Sequence, residues 1–422
     1  MSVQTTSPLA LHGGPKAVPS GLLRDWPEID ETDRRMVLAS LEQPNHAYGP
    51  NSQAFQAEFA AWNGNKHAIA TNSGTAALHM AVVACGCGTA DEVIVAAYSW
   101  SSSATCILHH GAIPVFVDID FETMNLDPAR LEAAVSPRTK AIVAVHLHGL
   151  SADMDPILAV ARKHGLKVIE DACQAHGALY KGRKVGTLGH CAAFSFNQNK
   201  CLCAGEGGMF VTDDDEALAR ARQLWSFGET RAPQEDRDYH AYALGWMYRM
   251  PDLTGALGRA QLAKLDRNLA RQRENAARLS ARLRGAPGLI LPAEPQGCTH
   301  NWYNYTLRFD MKYFGREEQP RAFRDKLKAA MVAEGVQTSV WQNFILPEMT
   351  VFRAQNGFGA GHPWSHPLAR KISYDPAQYP QARRHTETHT GMTVPLRYPN
   401  GDEVVDRTAD GILKVLEHAD EL

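Results

Sequence analysis

Short apolar runs alternate with stretches of helical periodicity between residues 66 and 214. Apolar residues recur at helical spacing in segments such as 75–85 and 156–164. The runs between these segments are rich in β-branched residues and have the length of buried strands. Candidate strands are residues 67–71, 92–97, 114–118, 141–146, 167–171, 192–196 and 209–212. Strands that alternate with helices predict an α/β domain with a mostly parallel sheet.

The second half of the chain follows a different pattern. Residues 215–284 are rich in Ala, Leu, Arg and Gln at helical spacing, which predicts a long connecting helix. The stretch PGLILPAEPQG then breaks the pattern, and residues 303–309 begin a smaller α/β unit. We therefore expect a large domain over residues 30–265 and a small C-terminal domain over 266–422. Residues 1–29 are predicted to form an N-terminal arm that packs on the small domain.

Composition excludes several classes of function. The chain has 422 residues, of which 44% are hydrophobic and 21% are charged, and its net charge is -3. Because binding to nucleic acid requires clustered Lys and Arg, we expect no nucleic-acid partner. No apolar stretch approaches the roughly 20 residues that span a bilayer, so we expect no membrane helix. The N-terminus lacks the pattern of a secretory signal, which predicts a cytoplasmic protein.

Eight cysteines are scattered along the chain. Two Cys-x-Cys pairs occur, Cys85 with Cys87 and Cys201 with Cys203, but neither has a second pair of ligands at the spacing of a zinc site. Reduced thiols that serve as small apolar residues explain the pattern better than a metal site does. We therefore expect no bound metal.

Three short segments follow candidate strands at the positions where open α/β sheets bind ligands. In the first, the strand ending at Thr71 continues through Asn72 and Ser73 into a helix that begins near Thr75. Backbone N–H groups and hydroxyls that converge at a helix N-terminus form a phosphate site. The same Ser-Gly-Thr sequence is also an ordinary helix cap, and taken alone it does not distinguish the two roles.

The other two segments supply a carboxylate and an amine. Asp171 ends an apolar strand, where it can pair with a protonated ring nitrogen or simply cap a turn. Lys200 follows a strand and precedes the flexible run AGEGG, although most lysines at such positions are solvent-exposed. Together the three segments provide what an aldehyde cofactor with a phosphate arm needs, namely an anion cradle, a partner for the ring nitrogen and an amine.

With these motifs the sequence resembles the DegT/DnrJ/StrS-type sugar aminotransferases, which have the fold type I architecture of pyridoxal-phosphate enzymes. The likeness covers nearly the whole chain and is strongest over residues 48–262. In that family a Ser-Gly-Thr turn, an aromatic residue after a strand and a serine before the lysine surround the cofactor. The resemblance implies that Gly74, Thr75 and Ser195 bind its phosphate and that Trp100 stacks on its ring.

The family's Asp-x-x-Gln and Ser-x-x-x-x-Lys motifs supply the remaining groups. By resemblance, Asp171 pairs with the ring nitrogen of pyridoxal 5'-phosphate and Gln174 approaches its phenolic oxygen. Lys200 holds the cofactor as a Schiff base and transfers the proton during catalysis. His176 lies close behind Asp171, and a structural role is favoured for it over a catalytic one. A related branch without the lysine performs dehydration, and the presence of Lys200 argues against that branch.

One segment departs from the family pattern. Many members read Gly-Tyr-Asn-Tyr-Arg-Met where this chain has Gly-Trp-Met-Tyr-Arg-Met at residues 245–250. In relatives the Asn reaches across a dimer interface to the phosphate of the other subunit, but Met247 cannot make that hydrogen bond. The resemblance implies a homodimer with shared sites, to which Tyr248 and Arg249 contribute from the partner chain.

The substrate class is predicted from segments of the sequence that resemble particular groups of aminotransferases. The opening LALHGGPKAV, the DWP at residues 25–27 and the stretch YTLRFDMKYFG are most similar to aminotransferases of keto-cyclitols such as scyllo-inosose. These enzymes use L-glutamine or L-glutamate in aminoglycoside-type biosynthesis. Aminohydroxybenzoate synthases and aminotransferases of nucleotide-linked keto-sugars are the alternatives within the fold. A non-catalytic partner protein of a biosynthetic complex is the alternative outside enzymes.

Overall fold

The structure, a computed structural model, describes residues 7–230 and 239–422. Its strands are β1 His67–Thr71, β2 Glu92–Ala96, β3 Ile113–Val117, β4 Thr139–Val145, β5 Lys167–Asp171, β6 Leu179–Tyr180, β7 Arg183–Lys184, β8 Cys191–Ser195, β9 Gly208–Thr212, β10 Leu289–Ile290, β11 Cys298–Thr299, β12 Tyr305–Phe309 and β13 His389–Met392. Its α-helices are α1 Glu31–Leu41, α2 Pro50–Asn63, α3 Gly74–Ala84, α4 Ser102–Leu108, α5 Leu131–Ala134, α6 Met154–His164, α7 Asp215–Trp225, α8 Asp252–Leu283, α9 Pro320–Ala333, α10 Thr350–Arg353, α11 Pro380–Thr388 and α12 Asp402–Glu417.

Seven strands form the central sheet in the order β1-β9-β8-β5-β4-β2-β3. The pairs β8–β5, β5–β4, β4–β2 and β2–β3 are parallel, whereas β9 runs antiparallel to both of its neighbours. Strands β2, β3, β8 and β9 are buried along their full length, as expected of strands covered by helices on both faces. The predicted α/β fold with a large, mostly parallel sheet is confirmed.

The C-terminal part contains a second, antiparallel sheet in the order β10-β12-β13. Its core joins these strands to α9, α12 and the end of α8, and it also includes Leu9 and Val18 of the N-terminal segment. The backbone of Ala10 and Ala17 donates to the Glu334 carboxylate. The domain boundary predicted after residue 265 falls inside α8, which is continuous from Asp252 to Leu283.

The predicted single helix over residues 215–284 is wrong, because two helices occupy this region. Helix α7 ends at Trp225, and α8 begins only at Asp252. Phe227 and Gly228 follow α7 with positive φ angles of 59° and 76°, which a continuing helix cannot adopt. Pro251 precedes α8, where it lacks an N–H to donate to a preceding turn. Residues 231–238 between the two helices lie outside the described part of the chain.

Several short elements complete the described fold. A third small sheet pairs β11 and β7 with β6, and a turn of 3-10 helix at Leu147–Gly149 follows β4. Among the described residues, no helix combines the length and apolar character needed to traverse a bilayer.

Candidate active site

The predicted phosphate turn, residues 72–75, joins β1 to α3. Helix α3 begins at Gly74, and the Ser73 hydroxyl caps it by accepting from the Ala76 N–H at 3.1 Å. A Cβ on Gly74 would stand 2.7 Å from the Cβ of Ser195, so only glycine permits this approach. The close contact brings the end of β8 against the N-terminus of α3, whose free N–H groups favour an anion.

Asp171 ends β5 with 4% of its surface exposed. Its Oδ2 accepts a hydrogen bond of 2.6 Å from the hydroxyl of Ser103, and its Oδ1 accepts from the Cys173 N–H at 3.2 Å. The Ser103 hydroxyl also lies 2.6 Å from that of Ser99. These contacts fix the orientation of the carboxylate, and sequence reasoning did not identify the two serines. Burial and the charge of Asp171 raise the pKa of the Cys173 thiol.

Gln174 lies beyond Asp171 and is also buried. Its Oε1 accepts from the His148 N–H at 2.8 Å, and its backbone oxygen accepts from the Asn301 side chain at 2.9 Å. Because Oε1 is already engaged, the group left for a ligand is the amide nitrogen, a donor suited to a phenolic oxygen.

Lys200 lies in the turn after β8 and is half-buried. Its Nζ is 4.7 Å from the centroid of the Tyr303 ring, and it forms no ion pair with a described residue. Its backbone is held on both sides, since its N–H donates to Asn197 O at 2.8 Å and its carbonyl accepts from Trp26 Nε1 at 3.1 Å. A fixed backbone with an uncommitted amine is suited to covalent binding of an aldehyde.

Arg397 is the second cation beside this turn, and its side chain is buried. Its Nη2 donates to Asn199 O at 2.6 Å, and its guanidinium lies 4.8 Å from the Trp26 ring and 5.7 Å from the Tyr303 ring. Tyr303 thus contacts both cations, whereas Trp26 contacts the Arg397 guanidinium and the backbone carbonyl of Lys200. Sequence reasoning did not place Arg397 beside Lys200, because the proximity of the two residues depends on the fold.

Trp100 was predicted to stack on the cofactor ring, and His176 was predicted to have a structural role. Trp100 is 51% exposed, and its ring centroid lies 6.0 Å from that of Trp341. His176 is fully buried against Phe194 and Phe196, and neither ring nitrogen has a hydrogen-bond partner among the described residues. Burial and the Lys200 charge lower the pKa of His176 to about 3.

The segment at residues 246–250 lies beside the phosphate turn of its own chain. Asn72 donates through its N–H to Tyr248 O at 2.8 Å, and Thr71 pairs with Arg249 in an isolated bridge. The Tyr248 hydroxyl lies 3.0 Å from His79 Nδ1, whereas Met247 is 48% exposed. The role predicted for Tyr248 and Arg249 in a partner subunit's site remains a prediction.

The three predicted segments therefore meet at one edge of the sheet. The phosphate turn contacts Ser195, β8 pairs with β5, and Lys200 follows β8. An anion site, a buried carboxylate and an amine are the groups that pyridoxal phosphate requires, so the residues present fit this cofactor. The cysteines are free thiols, and no group of three or more His, Cys, Asp or Glu side chains suited to a metal ion occurs within the described ranges.

Comparison with known proteins identifies the family. A model of the DegT/DnrJ/EryC1/StrS aminotransferase family matches residues 27–382. The chain is 38% identical over 402 residues to the spore coat polysaccharide biosynthesis protein SpsC of Bacillus subtilis (strain 168), which covers 93% of this chain and 97% of that protein. It is 47% identical over 245 residues to the GDP-perosamine synthase of Caulobacter vibrioides, which covers 58% of this chain and 65% of that protein.

A solved structure of 3-amino-5-hydroxybenzoic acid synthase superimposes with a TM-score of 0.83. It is 30% identical to this chain, and the superposition covers 95% of this chain and 100% of that one. The family model extends over most of the chain, and the site residues fit the cofactor. The chain therefore belongs to the DegT/DnrJ/EryC1/StrS aminotransferase family and is a pyridoxal-phosphate-dependent aminotransferase.

Proposed function

We propose that this enzyme transfers the amino group of L-glutamine or L-glutamate to a keto-cyclitol or keto-sugar in secondary-metabolite biosynthesis of the aminoglycoside type. The observation that carries the proposal is the convergence of Lys200, Asp171 and the phosphate turn at one sheet edge. When bound, pyridoxal phosphate supplies an aldehyde and an electron sink. Lys200 would hold the cofactor through its amine and move the proton at the substrate carbon, Asp171 would pair with the ring nitrogen, and Gly74, Thr75 and Ser195 would hold the phosphate.

Arg397 supports an amino acid as the donor. A buried guanidinium requires compensation, yet no described carboxylate forms an ion pair with it, and its Nε has no hydrogen-bond partner among the described residues. The α-carboxylate of glutamine or glutamate would provide that compensation next to Lys200. We infer that Arg397 binds this carboxylate.

A nucleotide-linked keto-sugar is the second candidate acceptor, because the chain resembles a GDP-perosamine synthase over 245 residues. The arginines that could bind a diphosphate contact different rings: Arg384 lies over Phe121, whereas Arg397 lies over Trp26 and Tyr303. No described contact pairs these two guanidinium groups, so an acceptor without a diphosphate remains the first candidate. An aminohydroxybenzoate-type substrate is the third candidate, supported by the structural likeness to that synthase.

A homodimer with shared sites is part of the proposal. Large apolar side chains are exposed near the phosphate turn, including Leu244 at 69% and Met247 at 48%. Exposed apolar clusters of this kind are typical of protein interfaces. A second copy would cover them and place Tyr248 and Arg249 near the partner's cofactor.

The test uses the purified protein with L-glutamine, L-glutamate and a panel of acceptors. We expect either donor to aminate the cofactor, and scyllo-inosose to be aminated faster than a nucleotide-linked 4-keto-sugar or an aminohydroxybenzoate precursor. Sedimentation should show a dimer. The activity per subunit should fall when the protein is diluted below the dissociation constant of the dimer. Absence of amination by either donor would refute the function, and turnover of any acceptor would exclude a non-catalytic partner protein.

A further inference from the structure

Four buried rings and the partly buried ring of Trp341 pack together next to the proposed active site. We call this group the histidine wall; it consists of Tyr98, His148, Trp341, His385 and His389. Ring centroids are 4.8 Å apart between His148 and Trp341 and 4.6 Å apart between Tyr98 and His385. His385 stacks on His389 at 4.2 Å. No role in binding the cofactor or the donor accounts for this group.

The histidine wall adjoins the proposed cofactor site at two points. The backbone N–H of His148 donates to Gln174 Oε1 at 2.8 Å, and the ring centroids of Trp341 and Trp100 are 6.0 Å apart. Burial, followed by the charges of His389, His300 and Lys200, holds the pKa of His148 well below its ordinary value. His148 is therefore a neutral ring between the cofactor-binding residues and the C-terminal part of the chain.

Hydrogen bonds determine which nitrogen of each ring carries the proton. His389 Nδ1 donates to the His385 carbonyl at 2.7 Å, so its Nε2 is the acceptor for the Tyr98 hydroxyl at 3.3 Å. His148 Nδ1 lies 3.2 Å from the amide nitrogen of Asn304 and must accept from it. The hydrogen of neutral His148 is then on Nε2, which is buried and has no partner among the described residues.

The backbone at His148 is also unusual. Its φ angle is +57°, in the left-handed region that few residues other than glycine adopt. The following Gly149 has a φ angle of +99°, and a Cβ there would stand 1.7 Å from Asn301 Oδ1. Strained backbone of this kind is concentrated at functional sites, where the surrounding structure fixes one side-chain direction. Here the strain holds an unpaired N–H donor against Trp341.

We propose that His148 determines acceptor specificity. Its Nε2–H, buried in this structure, becomes accessible when the partly buried Trp341 ring shifts, and it then donates to a hydroxyl oxygen of a hydroxylated six-membered keto ring while Trp341 covers a C–H face of that ring. This inference rests on the proposed function and specifies how its acceptor is recognised. A neutral donor beside an aromatic ring matches the two features that such a ring presents, acceptor oxygens and apolar C–H faces. A buried donor left unpaired disfavours an analogue that lacks the hydroxyl.

The test compares the two half-reactions in wild type, His148→Phe and His148→Gln. Amination of the cofactor by L-glutamine should be unchanged in all three. In His148→Phe the kcat/KM for scyllo-inosose should fall about 10- to 100-fold, mainly through KM, because one hydrogen bond to a buried partner is lost. His148→Gln keeps an N–H donor and should recover part of that loss. The matched control is His300→Phe, because His300 is also a buried histidine whose Nε2 has no hydrogen-bond partner among the described residues. This variant should keep the wild-type kcat/KM for scyllo-inosose.

Mono-deoxy analogues of scyllo-inosose and a nucleotide-linked 4-keto-sugar complete the experiment. Wild type should discriminate against one deoxy analogue, and His148→Phe should not. Equal losses in both half-reactions, or an unchanged acceptor half-reaction in folded His148→Phe, would overturn the proposal. If wild type is not aminated by any donor, the proposed function fails instead, so the two failures are distinguishable. If His148→Phe lost activity with the nucleotide-linked 4-keto-sugar but not with scyllo-inosose, the assignment of His148 to a cyclitol ring would be overturned. A general structural defect would not produce that difference between acceptors.

Discussion

The Arg397→Gln variant tests how the enzyme recognises its amino donor. Arg397 is 1% exposed and donates to Asn199 O at 2.6 Å, one residue before Lys200. Glutamine retains a polar side chain with an N–H donor but removes the positive charge. If Arg397 binds the α-carboxylate, the variant loses an interaction that is made only when an amino-acid donor is present.

The size of the loss follows from these contacts. A guanidinium can bind a carboxylate through two parallel hydrogen bonds, and a hydrogen bond to a charged group contributes about 1.5–3 kcal/mol. Because the guanidinium is already desolvated by Trp26 and Tyr303, little of this energy is offset when the carboxylate binds. Because glutamine keeps one N–H donor, the variant loses about one such bond, and about 1.5–3 kcal/mol lowers kcat/KM for glutamine about 10- to 150-fold.

The assay measures amination of the cofactor by L-glutamine and by 4-aminobutanamide, which is glutamine without its α-carboxylate. Arg397→Gln should lose activity with glutamine and keep the wild-type rate with 4-aminobutanamide. The matched control Arg308→Gln removes another buried arginine, which lies over Phe121, and should not change the ratio between the donors. Equal losses with both donors would show that Arg397 positions the Lys200 turn and would refute binding of the carboxylate.

Three further predictions concern single residues. Asp171→Asn should retain the cofactor but slow amination about 10- to 100-fold through loss of one charged interaction, and near-normal turnover would contradict the pairing. Ser195→Ala should weaken cofactor binding about 10- to 100-fold in an equilibrium titration; unchanged affinity would exclude Ser195 from the phosphate site. Burial and the Arg273 charge lower the pKa of His300 to about 3. The unfolded chain therefore takes up a proton below about pH 6.5 that the folded chain does not, and stability falls with pH. Between about pH 7 and pH 5, His300→Phe should lose less stability to denaturant than wild type, and an equal loss would contradict this.

The strands of the large sheet could be predicted because a buried strand needs a short run of apolar residues, and such runs are visible in the local sequence. β1 and β5 have the predicted limits, and β8 differs by one residue at each end. The two-residue strand β11 could not be predicted, because it forms only by pairing with β6, more than a hundred residues earlier in the chain. The prediction of one long helix was wrong because apolar residues recur at helical spacing on both sides of Phe227 and Gly228. That spacing did not show the turn between the two helices.

The candidate site shows the same division. Gly74, Asp171 and Lys200 follow strands, and the ends of neighbouring strands meet at one edge of a sheet. Trp341 and Arg397 had no such signal, because the C-terminal part of the chain reaches the sheet only through tertiary packing. His148 does follow β4, but the role proposed for it depends on contacts with distant residues. The tautomer and positive φ angle of His148 likewise depend on Asn304 and Asn301, more than 150 residues away.

Reduction of the purified protein with borohydride tests the central claim most directly. Lys200 is proposed to bind the cofactor covalently, so the protein should absorb in the visible range and lose that absorbance on reduction. Peptide mapping should then find the reduced cofactor on Lys200, and Lys200→Ala should carry none. Attachment to a different lysine, or no covalent adduct in a protein that aminates its acceptor, would contradict the account.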